Sequence, residues 1–279
     1  MSTWEAILLG LIQGLTEFLP ISSSGHLALA QKLMHLNPGD REMLVFDLAV
    51  HLGTLLAVLA VFRREMKQFM VGLGRQGGQW RNLASPRTRP VCLWVALMAL
   101  VALVPTGIVA LSFEEKLKST FDNQLVIGGA LLITGGLLLT TRFVRRPRKG
   151  WRRLGPISAI LIGLAQGVAI TPGISRSGAT ICMGLFCGLR RRWSAQFSFL
   201  LVVPTIFGAV LIQGTELARE GVLLEMLSWP MLIGAFVAFI SGYAALVWLL
   251  HIIRRAHLYY FAWYVIPLGL LVILARLWW

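Results

Sequence analysis

Six stretches of this chain are long and apolar enough to cross a lipid bilayer, and they leave little choice of fold. Residues 91–113, 124–141, 193–215, 226–253 and 256–275 contain no Asp, Glu, Lys or Arg, and 43–62 is interrupted only by Asp47. About 20 apolar residues span the hydrocarbon core as a helix, and a helix satisfies its own backbone hydrogen bonds where no water can. Composition agrees: of 279 residues 57% are hydrophobic and 14% charged, with mean hydropathy +0.74. A soluble domain carries about a quarter charged residues, so soluble, disordered and disulfide-scaffold classes are excluded. Cys92, Cys182 and Cys187 all fall within apolar stretches and read as packed thiols, without metal or disulfide roles.

Two further apolar regions, 6–31 and 154–189, are each broken in the middle: Pro20 is followed by Ile21 and three serines, and Pro172 by Gly173. Proline removes a backbone donor and clashes with the preceding turn. Each region therefore predicts two half-helices joined by a break, and since neither half can cross alone, each predicts a re-entrant hairpin. The 26 Lys and Arg outnumber the 12 Asp and Glu, for a net charge of +14. That excess sits in the short loops 63–89 and 142–153 and in the clusters Arg190–Arg192 and Arg254–Arg255, whereas 114–122 is mixed and 216–225 net acidic. The positive-inside rule accounts for it, so nucleic acid is not an expected partner. With the basic loops cytoplasmic, the first hairpin opens externally, the second cytoplasmically, and both termini are external.

A shift of 153 residues lays GLIQGLTEFLPISSSG (10–25) over GLAQGVAITPGISRSG (163–178) without a gap. Gly10, Leu11, Gln13, Gly14, Ile21, Ser22, Ser24 and Gly25 recur as Gly163, Leu164, Gln166, Gly167, Ile174, Ser175, Ser177 and Gly178. Apolar bias explains Leu over Leu; it does not explain Gln-Gly and Ser-x-Ser-Gly in register. An odd number of spans separates the copies, so they point in opposite directions, the layout in which broken helices from two halves build a midplane site. The expected architecture is an all-α polytopic membrane protein: six transmembrane helices plus two re-entrant broken-helix hairpins in an inverted repeat. It forms one membrane domain over 1–279, with halves of approximately 1–142 and 154–279.

Ionisable residues deep in apolar tracts are costly and mark candidate sites. Glu5 and Lys32 can snorkel to the interface, which leaves Glu17, Asp47, Arg176, His26 and His51. Glu17 just precedes the first break and Arg176 just follows the second, so the hairpin tips bring together a carboxylate and a guanidinium. One reading is a buried salt bridge locking the halves. The other is an anion site, because Ser22, Ser23, Ser24, Ser175 and Ser177, with Thr180 one turn on, surround two half-helix N-termini. Serine there also caps helices, yet free N–H groups, positive dipole ends and a bidentate arginine together suit phosphate. Gln13 and Glu17 share a helix face, i and i+4, and reach one ligand. His26, four residues after Ser22, is either a structural histidine or an acid, base or nucleophile. Asp47 and His51 are also i, i+4 and read as a structural hydrogen-bonded pair or as support for the site. The tryptophans, Trp278 and Trp279 among them, read as interface anchors.

Gln13-Gly-Leu-Thr-Glu17-Phe-Leu-Pro-Ile-Ser-Ser-Ser-Gly-His26 and Pro172-Gly-Ile-Ser-Arg-Ser-Gly-Ala-Thr180 closely resemble the two signatures of the bacterial undecaprenyl-pyrophosphate phosphatases of the bacitracin-resistance type. Length, basic loops and inverted repeat extend the resemblance over essentially the whole chain. It implies removal of phosphate from the C55 isoprenoid carrier pyrophosphate at the bacterial plasma (inner) membrane, so that the carrier is recycled for cell-wall synthesis. It also implies catalytic roles for Glu17, Ser23, His26 and Arg176, and a divalent cation, Mg²⁺ or Ca²⁺. The acidic motif begins with Glu or Gln in the family and here with Gln13, which leaves Glu17 as the chief metal ligand beside Gln13. The attacking group stays open between Ser23, His26 and an activated water. Expected partners are the polyprenyl pyrophosphate, membrane lipids and a second copy in a homodimer, with the site opening externally. The alternative class is a lipid-carrier or anion transporter built on the same inverted repeat.

Overall fold

The computed structural model describes residues 1–76, 78–83, 85, 87–112, 123–144, 147–221, 228–254 and 257–278. The mixed loop 114–122, Arg145, Arg146, Arg255 and Trp279 of the sequence reading lie outside them. Among the described residues there is no strand, only an isolated bridge between Lys149 and Leu189. Six long apolar helices match the six expected spans: α3 (Arg41–Val61), α5 (Val91–Ser112), α6 (Gln124–Thr140), α9 (Arg191–Arg219), α10 (Trp229–Arg254) and α11 (Ala262–Trp278).

The broken regions form two pairs of shorter helices, α1 (Thr3–Phe18) with α2 (Ser23–Leu33), and α7 (Pro156–Val168) with α8 (Arg176–Phe186). The 153-residue shift carries the bounds of α2 onto those of α8. The first break begins at Leu19, extended at ψ 145°, as the residue before Pro20 must be. Ser22 and Ser175 then cap the following helices, each side-chain oxygen accepting from the backbone N–H three residues on, Gly25 and Gly178.

Each pair is closed at its outer end. The Met1 ammonium reaches Glu42 at the start of α3 (2.8 Å), and the 34–40 link returns α2 to the same place. At the second pair, Lys149 N–H donates to Gly188 O (2.9 Å) and Arg190 N–H to Lys149 O (3.0 Å), tying the segment before α7 to the one after α8. Packing follows the repeat. The α1 helix lies along α10 and α7 along α5, and matched glycines make both contacts possible. A Cβ on Gly10 would run into the carbonyl of Gly234, and one on Gly14 into Ser241; a Cβ on Gly163 would meet the carbonyl of Ala102, and one on Gly167 the side chain of Val109. Each copy is thus a small-xxx-small seam, which lets membrane helices approach closely.

One element departs from expectation. The basic stretch after α3 is not simply a loop: Arg63–Gln76 forms α4, which has no buried residue and whose Gln76 Oε1 accepts from Cys92 N–H at the start of α5 (3.0 Å).

Candidate functional site

The two breaks touch. Ser22 Oγ accepts from Gly173 N–H (3.0 Å), and Ser177 Oγ donates to Leu19 O (3.2 Å), so each break is hydrogen-bonded to the other. The backbone is special on both sides of this contact. Ser22 has φ +72°, a conformation costly for a residue with a Cβ. Gly173 has φ +96°, and a Cβ there would press on Ile127 O at 2.5 Å. Thr134 of α6 holds the second break by donating to Gly173 O (2.9 Å) and accepting from Ser175 N–H (3.0 Å).

Glu17 sits at this junction with its side chain 1% exposed. Arg176 donates to Oε1. Ser23 Oγ (2.5 Å) and Gln13 Nε2 (3.0 Å) donate to Oε2. The 153-residue shift pairs Ser23 with Arg176 and Glu17 with Ile170, so the residues that bind the carboxylate occupy equivalent positions, and only one copy supplies the carboxylate itself. The repeat builds the frame, and the polar centre lies where the copies differ.

A cavity of about 220 Å³ opens beside this cluster. Glu17, Ser22, Ser23, Ser24, Ser175 and Arg176 line it from the breaks; His51 of α3, Gln166 of α7, and Thr205 and Gln213 of α9 complete its polar wall. The expected carboxylate, guanidinium and four of the serine positions therefore share one pocket. Ser177 and Thr180 do not line it: Ser177 Oγ serves the first break, and Thr180 Oγ1 is engaged with Arg176 O (2.8 Å) and Ser198 Oγ (2.6 Å). Nor does His26. Its Nδ1 bonds to Ser22 O (2.7 Å), which directs Nε2 outward to the Tyr264 hydroxyl of α11 (2.9 Å), with the rings stacked at 5.7 Å. Asp47 and His51 are joined through the Asp47 backbone carbonyl, which bonds to His51 Nδ1 (2.7 Å), while the Asp47 carboxylate accepts from Gln31 (3.0 Å). His51 Nε2 then faces Glu17 Oε2 at 4.0 Å.

His51, Gln166, Thr205 and Gln213 were not foreseen as cavity residues. For Gln166 the signal was its match to Gln13, and the structure extends the parallel. Both amides are buried, and in both Oε1 lacks a hydrogen-bond partner while Nε2 is bonded, Gln166 to Thr205 (3.1 Å) and Thr106 (3.3 Å). Among the described residues no group of three or more His, Cys, Asp and Glu is gathered to hold a metal. Gln13, expected beside Glu17 as a metal ligand, does not line the cavity and turns Nε2 rather than Oε1 to Glu17. Glu17 is the one carboxylate on the cavity wall, a donor set that suits a hard cation completed by phosphate oxygens, the usual manner of Mg²⁺, and does not suit a closed all-protein cage.

The family model for the bacitracin resistance protein BacA matches residues 6–271. The undecaprenyl-diphosphatase of Desulfosudis oleivorans is 41% identical over 271 residues, covering 96% of this chain and 97% of the relative. That of Salinibacter ruber is 39% identical over 275 residues, covering 96% and 97%. That of Alkaliphilus metalliredigens is 39% identical over 290 residues, covering 99% and 100%. Two signatures at the touching breaks, a repeat echoed in the packing and matches spanning nearly the whole chain agree: this protein belongs to the BacA bacitracin-resistance family.

Proposed function

We propose that this protein hydrolyses undecaprenyl pyrophosphate to undecaprenyl phosphate and phosphate, the reaction for which its relatives are named. The observation that carries the reading is Glu17 bonded at once to Ser23 and Arg176 beside a polar cavity. In the proposed reaction the pyrophosphate lies in the cavity with its prenyl chain in lipid. Arg176 turns from Glu17 to the terminal phosphate, which it grips with two parallel N–H donors. Glu17 takes the Ser23 proton. Ser23 Oγ attacks the terminal phosphorus, and the bond to the bridging oxygen breaks, releasing prenyl phosphate. Water then attacks the phosphoserine, freeing phosphate and restoring the serine hydroxyl. The Ser24 and Ser175 hydroxyls and the N-termini of α2 and α8 stabilise charge gathering on the phosphoryl oxygens. Glu17 would hold a divalent cation, Mg²⁺ or Ca²⁺, whose positive charge would offset the negative charge of the pyrophosphate. His26, directed away at Tyr264, orients the first turn of α2.

The assignment of the cavity to the external side of the bacterial plasma membrane rests on the basic loops. Both helix pairs are read as re-entrant, since the two ends of each are tied together. Phosphate release by the purified protein in detergent separates hydrolysis from transport, because no transport is possible there. Release from C55 pyrophosphate is expected to fall at least about 10²-fold in Ser23→Ala and in Arg176→Ala, and a stalled phosphoenzyme to map to Ser23. Near-normal release from Ser23→Ala would overturn the nucleophile assignment.

A further inference from the structure

A second concavity, of about 760 Å³, lies at the outer end of the α7–α8 pair. It is 13 residues of helix away from the break that carries the site, or about 20 Å at the rise of an α-helix. Four arginines line it, Arg148, Arg152, Arg153 and Arg190, together with Trp151 and Trp193 and without an acidic residue. The positive-inside rule explains basic residues strung along loops on one face; it does not require that two separate segments gather them into one hollow.

The hollow is built rather than fortuitous. The Lys149–Gly188 and Arg190–Lys149 backbone bonds clamp the two arginine-bearing segments together. Trp151 packs against Trp193 (5.0 Å between rings) and Phe197 (6.2 Å). Arg152 donates to Arg87 O (3.2 Å) and its own carbonyl accepts from Arg89 (2.9 Å), which fixes that wall. Among the described residues the guanidinium groups of Arg148, Arg153 and Arg190 make no hydrogen bond or ion pair. Fixed walls with uncommitted guanidinium groups leave their donors available to a ligand.

We propose that this hollow binds the phosphodiester headgroup of an anionic membrane phospholipid. Charge complementarity and depth select that occupant. Arginine forks match phosphate oxygens, and basic pockets between membrane helices on the cytoplasmic side hold acidic lipid headgroups. The hollow lies where α5 and α9 begin, at Val91 and Arg191, and its indoles belong to the interfacial zone. Its volume is in the range that takes drug-sized ligands, more than an inorganic phosphate fills. A lipid seated there bridges both ends of the α7–α8 pair, so its binding stabilises the folded protein.

The full-length protein, purified in neutral detergent, is titrated with dioleoyl phosphatidylglycerol, dioleoyl phosphatidylcholine or inorganic phosphate. Bound lipid is read by native mass spectrometry and Tm by thermal melting. Phosphatidylglycerol is expected to stay bound and to raise Tm by about 4 °C at saturation. In Arg148→Gln/Arg153→Gln/Arg190→Gln its apparent affinity should fall about tenfold while phosphate release is unchanged. Arg63→Gln/Arg64→Gln/Arg75→Gln, which removes the same charge from α4, should keep the affinity. Equal binding of phosphatidylcholine, displacement by millimolar inorganic phosphate, or an equal loss in the α4 variant each overturns the proposal. If the triple cavity variant loses phosphate release and so has misfolded, Arg153→Gln alone decides: a loss of about threefold supports the proposal and no loss overturns it.

Discussion

Glu17 has two carboxylate oxygens, and repeat-equivalent positions 23 and 176 claim one each. Ion pairing alone would explain Arg176, but the Ser23 hydroxyl at 2.5 Å donates to the same carboxylate, and that pairing is what the proposed proton transfer to Glu17 uses. Lysine at 176 keeps the charge and loses the planar fork. Arg176→Lys should therefore retain the fold and still lose at least about tenfold in phosphate release, chiefly in kcat, as steady-state kinetics in detergent would show. Thr134 has no chemistry of its own, yet one hydroxyl satisfies both Gly173 O and Ser175 N–H. Thr134→Val conserves shape and orphans both buried groups. It should cost about 2 kcal/mol or more of stability, read as a lowered Tm, and should reduce kcat because the loosened break carries Arg176. A variant that melts like the wild type would show that the break is held by other contacts.

Elements were legible in the sequence wherever composition alone decides them. Spans of 20 apolar residues have one solution in lipid, and Pro20 and Pro172 with the Ser-x-Ser-Gly echo placed both breaks and both caps. The α4 helix was not legible, because Met66, Phe69 and Met70 form only a narrow apolar stripe among charges that read as a loop. The full cavity was not legible either. Ser177, Thr180 and His26 have the residue types of a phosphate site, but the direction of each side chain is set by local bonds that spacing does not encode. His51, Thr205 and Gln213 come from helices outside the two broken pairs. The glycine seams were visible as repeat matches, but their purpose was not. They carry a prediction at this scale: Gly163→Ala pushes a methyl into the Ala102 carbonyl and should destabilise by about 1–3 kcal/mol. Gly136→Ala, where nothing lies within 4 Å, should be neutral or stabilising by up to about 1 kcal/mol. Melting curves in one detergent compare them, and equal Tm changes would remove the seam from the account of packing.

At the scale of the molecule, contacts outside the site sort the chain ends onto two faces. Met1 pairs with Glu42 (2.8 Å) and Arg41 with Glu220 (3.3 Å), so the N-terminus, the start of α3 and the end of α9 share one face. Arg152 meets Arg87 O, and Arg191 reaches Val144 O (3.4 Å), so the basic segments share the other. The α9 helix, with Arg191 on the basic face and its end beside Arg41 on the other, runs between them, as the positive-inside rule needs when the arginine-rich face is cytoplasmic. In a background with Cys92, Cys182 and Cys187 replaced, a single cysteine at exposed Gly39 should react with an impermeant maleimide added outside intact cells. A single cysteine at exposed Gln79 should react only after the membrane is permeabilised. The reverse pattern would invert the molecule, turning the outer end of the α1–α2 pair to the cytoplasm and the arginine hollow outward. Labelling of both positions from one side would instead break the alternation of spans and, with it, the reading of the two helix pairs as re-entrant.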